Sequence, residues 1–269
     1  MKTPTIVEML QAGIHFGHQT SRWHPKMKEY IFTERSDIHV IDLEKVQVQL
    51  KEVLPQVKAL AAQGKQILFI STKPQAKEIV KAAAIDCGMP YLVERWIGGL
   101  LTNFSEIRKL IKNYIDLNRQ RDEGELERYT KKEQLDIVKK LEKKEGSLAG
   151  LISLDKIPDL LFVPSVQKEK TAVLEANKMD VPIIGVCDTN ADQSRAAYVI
   201  PGNDDAVKSI ELMLNLVSGA IKEGREEWNK NKASMGQQVD GKNKPSNTKT
   251  SDEKKEEIKK RLDEKMAKQ

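Results

Sequence analysis

Three of the four histidines, His15, His18 and His24, fall between Ala12 and Lys28, in company with Phe16, Arg22, Trp23, Lys26 and Lys28. No acid stands between Glu8 and Glu29. Planar rings, cations and a backbone loosened by Gly13 and Gly17 suit a polyanion that carries stackable bases. Alternatively, His15 and His18, at i, i+3, could begin a metal or acid–base site. That use needs a third and a fourth ligand, and neither cysteine is near in sequence. Gly13 and Gly17 also argue against the regular helix that would set both rings on one face. Hydrogen bonding that holds the shape of the loop stands beside direct RNA contact as the reading of His15 and His18. For Arg22, Lys26 and Lys28, phosphate contact is favoured over a solvated face, because no acid sits among them. Trp23 joins this set as a ring able to stack.

Two other constellations invite a chemical reading. Arg95-Trp96-Ile97-Gly98-Gly99 follows an apolar run, and its glycines would let a phosphate approach the backbone. No Gly-x-Gly-x-x-Gly follows the first predicted strand, however, and no Gly-Lys-Ser/Thr loop occurs anywhere. Arg95 is kept as an RNA-contact candidate, while Trp96 reads equally as a core plug or a stacking platform. Asp188-Thr189-Asn190 and Asp204-Asp205 could hold a metal at the carboxyl end of a sheet. Turn and cap chemistry explains them better: Asn203 or Asp204 caps a helix, and Pro201-Gly202 makes the turn. No histidine or activated nucleophile lies in that half. Cys87 and Cys187 read as reduced, buried thiols rather than a disulfide or a metal pair.

The elements that must carry these groups alternate. Gln66–Ser71 is a short apolar run of the kind buried on both faces. Pro74 then sits in a predicted first helical turn, Ala76, Ile79, Val80 and Ala83 keep helical spacing, and Gly88 stops the helix. Pro90–Val93, Leu160–Val163, Val181–Cys187 and Ala197–Ile200 read as further strands. A helix through Ala172 and Ala176 separates two of them. Another follows Asn203-Asp204-Asp205 through Leu216, and an amphipathic helix over Leu43–Ala62 precedes the series. Such alternation predicts a parallel sheet with helices on both faces.

Residues 103–148 cannot be absorbed by that sheet. Phe104, Ile107, Ile111 and Tyr114 keep a three-four rhythm after a cap-like Asn103 and Glu106. An acidic turn at 122–125 breaks it. Thr130-Lys131-Lys132-Glu133 is a capping box that opens a second helix carrying Leu135, Val138 and Leu141. Two helices of about 20 residues, each roughly 30 Å long, predict a projecting antiparallel coiled-coil hairpin. Its legs carry a surplus of bases, including Arg108, Lys109 and Lys112 on one and Lys139 and Lys140 on the other. These five are the arm's RNA-contact candidates, weighed against an ordinary charge-laced face.

The predicted organisation is therefore an α/β domain over residues 1–102 and 149–228, an inserted hairpin over 103–148, and a charged, largely disordered tail over 229–269. Ser251–Lys268 regains helical character through pairs such as Glu256 and Lys260. Only 39% of the 269 residues are hydrophobic and 32% are charged. The net charge of +5 resides wholly in the tail, which has twelve Lys and Arg against seven acids. Bulk charge thus says nothing of a partner, and local clusters must. No apolar run reaches the ~18 residues of a membrane span, and the N-terminus lacks a signal-peptide core, so a cytoplasmic protein is expected.

Several blocks, in order and spacing, resemble the S-two family of small-subunit ribosomal proteins in its bacterial form. They are Gly13 to Lys28, Tyr30-Ile31-Phe32 with Ile38 to Lys45, Glu94 to Phe104, Val186 to Asn190, and Tyr198 to Ala206. His24 stands where the family usually has Asn, Gln193 where Pro commonly follows the Asp-Thr-Asn block, and Pro164-Ser165 replaces an acid-containing turn. The resemblance implies a flavodoxin-like parallel sheet interrupted by the hairpin, built into the small ribosomal subunit. It further implies contact with small-subunit ribosomal RNA on the back of the subunit near the head–body junction, neighbouring ribosomal proteins as partners, and docking of ribosomal protein S-one, which helps capture messenger RNA. No cofactor, metal, membrane or homo-oligomer enters this expectation, and the chain would bind rather than catalyse. The rival readings are a nucleotide-dependent enzyme on the same fold, which lacks its phosphate loop, and a stand-alone RNA-binding regulator.

Overall fold

The structure, a computed structural model, describes residues 3–240. Its first element, α1 (Ile6–Gln11), opens on a reciprocal capping box between Thr5 and Glu8. The histidine-rich segment read as a loop then forms β1 (Phe16–Gln19) and two 3-10 turns, and β2 (Ile31–Arg35) and β3 (Ile38–Ile41) follow it. These strands make a small antiparallel sheet in the order β1-β3-β2. Pattern alone could not reveal β1, because its register comes from Val40 and Ile38 across the sheet.

From Leu43 onward the architecture follows the apolar pattern. The helix α2 (Leu43–Ala62) starts where Asp42 accepts the N–H groups of Glu44 and Lys45. After it come β4 (Ile67–Ile70), α3 (Lys77–Cys87) and β5 (Tyr91–Leu92). Gly88 ends α3 at φ 66, a left-handed turn natural to glycine. Pro74 lies in the turn before α3 rather than in its first helical turn. The chain continues through α4 (Phe104–Asp122), α5 (Lys131–Leu148), β6 (Leu160–Val163), α6 (Lys170–Lys178), β7 (Ile183–Cys187), β8 (Tyr198–Pro201) and α7 (Val207–Asp240). The compact unit ends at Trp228. Helix α7 continues past Leu216 to Asp240, so residues 229–240, read as disordered, are helical; the rest of that tail and the helix expected at Ser251–Lys268 lie outside the described residues.

Five strands pair in parallel in the order β5-β4-β6-β7-β8. In chain order that is 2-1-3-4-5, the flavodoxin-like doubly wound arrangement. Leu68 aligns with Leu161, and Leu161 with Ile183, so successive strands stack like residues on like faces. One face sends Ile67, Phe69, Phe162 and Ile184 against α2, α3 and α7. Leu68, Ile70, Leu161 and Ile183 point the other way, into a cluster with α6 and the roots of α4 and α5. Burial of both faces explains the uninterrupted apolar strands.

The helices α4 and α5 lie where the rhythm predicted them, and Thr130 with Glu133 forms the predicted capping box. Asn103 does not cap α4, and Glu106 pairs with Lys109 instead. Buried side chains on α4 are Ile107, Ile111 and Tyr114, and on α5 Leu141 and Leu148. Apolar packing is therefore densest toward the sheet end of these helices, while Leu110 and Leu135 stand exposed.

Candidate nucleic-acid interface

The histidine-rich segment is pinned by its backbone to loops at the carboxyl end of the parallel sheet. The His18 amide donates to Thr189 Oγ1 at 2.9 Å, and the His24 amide to the Thr189 carbonyl at 2.7 Å. Asn203 supplies its amide to the Ile14 carbonyl and its side-chain NH2 to the Gly13 carbonyl, each at 3.2 Å. Only glycine fits at Gly17, where a Cβ would come within 2.6 Å of the Thr189 methyl. Gly17 therefore serves close backbone approach to the protein's own loops, whereas Gly13 supplies a left-handed turn at φ 76.

Beneath this seam lies a knot of charge in which Asp188 and Asp204, grouped in the sequence reading, are joined by His18, Lys73 and Ser165, which were not. Asp188 follows β7, Asp204 follows β8, Ser165 follows β6, and Lys73 follows β4, so four strand ends converge. Asp188 and Asp204 are 1% and 2% exposed. His18 places Nδ1 3.0 Å from Asp188 Oδ2 and Nε2 3.4 Å from Asp205 Oδ2. Lys73 Nζ lies 2.7 Å from Asp204 Oδ1 and 2.8 Å from Asp205 Oδ1, while Ser165 Oγ donates to Asp204 Oδ2. The hydrogen bond to Asp188 raises the His18 pKa against the opposing effect of burial. Burial pushes the Asp204 carboxyl up, reinforced by Asp188 and opposed by Lys73. Burial also works against the Lys73 charge, but Asp204 and Asp205 outweigh it and the pKa rises.

Ligand atoms of His18, Asp188 and Asp204 all lie within 4.8 Å of one another, a set chemically able to hold a divalent cation. His15 takes no part in it. The turn reading of these acids needs correcting. Asn203 Oδ1 accepts the amides of Asp205 and Ala206 in a turn ahead of α7, so the turn chemistry holds for Asn203, whereas Asp204 is buried beside Lys73 and Ser165 and does not cap. The clue available in sequence was Ser71-Thr72-Lys73 closing the first strand. A lysine at that strand end is poised for whatever acid the other strand ends provide.

The predicted RNA-contact residues divide into engaged and free. His15 is half-buried against Phe16, ring centroids 4.0 Å apart, and burial lowers its pKa, which favours a neutral ring. His18 is engaged as above. Lys26 reaches Asp192 at 3.0 Å and Ser194, so the acid-free stretch meets its acid from 166 residues away. Arg22 and Lys28 are exposed and make no ion pair among the described residues, and Trp23 is 37% exposed beside His39. Two of the positions that depart from the family have partners here: His24 Nδ1 accepts the Lys26 amide, and Gln193 Nε2 donates to the Lys26 carbonyl and Glu29.

Glu175 of α6 fills the glycine loop. Its carboxylate accepts Trp96 Nε1 and the Gly99 amide at 2.9 Å each, and the Leu101 amide at 3.3 Å. A phosphate cradle is thereby already occupied by the protein's own anion, and Trp96, 9% exposed, is a plug rather than a platform. Arg95 stays exposed. On the two arm helices Arg108, Lys112, Lys139 and Lys140 are exposed without ion pairs among the described residues, whereas Lys109 is 2.7 Å from Glu106.

The sequence profile of a family described as ribosomal protein S2 matches residues 9–224, which takes in both sheets, the arm helices and the strand-end knot. Over 223 residues the chain is 46% identical to the small ribosomal subunit protein uS2 of Salinibacter ruber (strain DSM 13855 / M31), covering 83% of this chain and 70% of that protein. Over 239 residues it is 44% identical to the small ribosomal subunit protein uS2 of Coprothermobacter proteolyticus (strain ATCC 35245 / DSM 5265 / OCM 4 / BT), covering 89% of each. With its profile matched across the whole α/β core and such identity over most of both chains, this protein belongs to the ribosomal protein S2 family.

Proposed function

We propose that the chain is a structural component of the small ribosomal subunit that binds small-subunit ribosomal RNA and catalyses nothing. The observation that carries the RNA reading is the division of the N-terminal segment. Its backbone is tied to Thr189 and Asn203, while Arg22 and Lys28 are exposed with no ion pair among the described residues and Trp23 is 37% exposed. Cations held on a fixed frame neutralise phosphates with little ordering cost, and the indole offers a stacking face. Arg95, in the loop after β5, and Arg108, Lys112, Lys139 and Lys140, on α4 and α5 acting as a coiled-coil arm, extend the same chemistry. His15, His18 and Lys26 serve mainly to shape the surface. The family resemblance adds neighbouring small-subunit proteins, docking of ribosomal protein S-one, and action as a single copy within the ribosome.

A nucleotide-dependent activity on this fold has little support, since Glu175 already takes the loop amides that a phosphate would need. Replacing Arg22 and Lys28 together by Ala should weaken binding to a small-subunit rRNA transcript. It should also flatten the plot of log K against log salt, by up to about 0.9 for each duplex phosphate no longer neutralised. Truncation after Trp228 should do less. Unchanged affinity and slope in the double variant, with binding abolished by the truncation, would overturn the reading.

A further inference from the structure

At the root of α4 an open groove of about 620 Å³ runs between the start of that helix and the end of α6. Its apolar lining comes from Leu101, which is buried, Phe104, which is half-buried, Ile157 and Met179. One lip belongs to Arg108 and Lys112, which lie one helical turn apart and are exposed without ion pairs among the described residues. Lys109, beside them, is neutralised by Glu106. The polar groups of Asn103 and Ser105 line the same opening.

We propose that this groove receives one unpaired base of the ribosomal RNA, stacked on the Phe104 ring, with the flanking phosphates held by Arg108 and Lys112. The proposal rests on the rRNA-binding reading and adds to it a single-nucleotide subsite. Three features select this occupant. An aromatic face in an apolar slot is what an extruded base requires, since bases stack on rings irrespective of sequence. The two unneutralised cations stand on the rim, where a backbone leaving the slot would carry its charge. Ser105 Oγ and Asn103 Oδ1, now 3.5 Å apart and exposed, can turn to meet the polar edge of a base.

The full chain and a small-subunit rRNA transcript provide the test. Phe104→Leu keeps an apolar plug and removes the π-face. It should weaken binding by about 5- to 150-fold, the range expected when one base–aromatic stack is removed. The double change Arg108→Ala with Lys112→Ala should reduce the salt slope by about 1.4, at about 0.7 for each single-strand phosphate. Affinity and slope unchanged in both variants overturn the subsite. If the Arg22→Ala and Lys28→Ala protein still loses binding, the wider RNA reading survives that failure. A photo-crosslinking p-benzoylphenylalanine at Ser105 or Met179 then identifies the occupant in reconstituted subunits. Attachment to an unpaired nucleotide supports the proposal. Attachment to another protein, to paired nucleotides only, or to nothing while the chain is present in the subunit refutes it.

Discussion

His18 holds the N-terminal segment against the sheet by facing Asp188 at 3.0 Å and Asp205 at 3.4 Å, with Asp204 and the Lys73 ammonium completing its surroundings. Its folded pKa is raised, chiefly by Asp188. Stability from this pairing is therefore fully present below the ordinary histidine value of about 6.5 and is lost as pH rises through the higher folded value. His18→Gln should lower the unfolding free energy by about 1–3 kcal/mol at pH 6. The gap between variant and parent in urea denaturation should shrink by pH 8.5, and a gap that grows with pH would refute the assignment. Glu175 is the second residue on which local order depends. Glu175→Ala leaves Trp96 Nε1 and two loop amides without their acceptor, costing about 1–3 kcal/mol. Trp96 emission should shift to the red in the same variant. An unshifted spectrum would mean that another group satisfies the loop.

At the scale of elements, the arm is held by its root. Ile107 is 5% exposed and sits in one apolar cluster with Leu148 and the sheet residues Leu68 and Leu161. Ile107→Ala should cost about 2–5 kcal/mol. Phe104 is only half-buried, on the groove side, so Phe104→Ala should cost less than the ~3–5 kcal/mol of a fully buried aromatic. Equilibrium denaturation ranks the two, and the reverse order would contradict the packing. The same cluster limits how the arm can be shortened. Excising residues 105–147 strips Ile107, Ile111, Tyr114 and Leu141 from the apolar cluster that includes one sheet face and should give a protein that binds hydrophobic dye and aggregates. Excising residues 116–139 behind a short glycine linker keeps those four side chains and should leave a soluble core with a cooperative transition. If both deletions behave alike, the root does not cover the sheet as described.

For the molecule as a whole, the apolar strands declare themselves in sequence while the seam that joins them to the N-terminus does not. Ile67–Ile70, Leu160–Val163 and Ile183–Cys187 are buried on both faces, so every residue in them must be apolar, small or both, and that constraint is local. Helix α2 was equally legible, because a 3.6-residue period requires no distant partner. The family blocks from Gly13 to Ala206 likewise lie in linear order, so the resemblance needed no coordinates. Only the tertiary structure could decide which cations of the acid-free segment remain free. Asp192 lies 166 residues from Lys26, and Asp188 is 170 residues from His18, yet ionic attraction acts over a few ångströms of space whatever the contour between them. The sheet order that brings Lys73, Ser165, Asp188 and Asp204 to one edge is a property of strand pairing. Pairing is settled by burial across the whole domain, and for that reason the charged knot, the filled glycine loop and the groove beside Phe104 emerge only once the chain is folded.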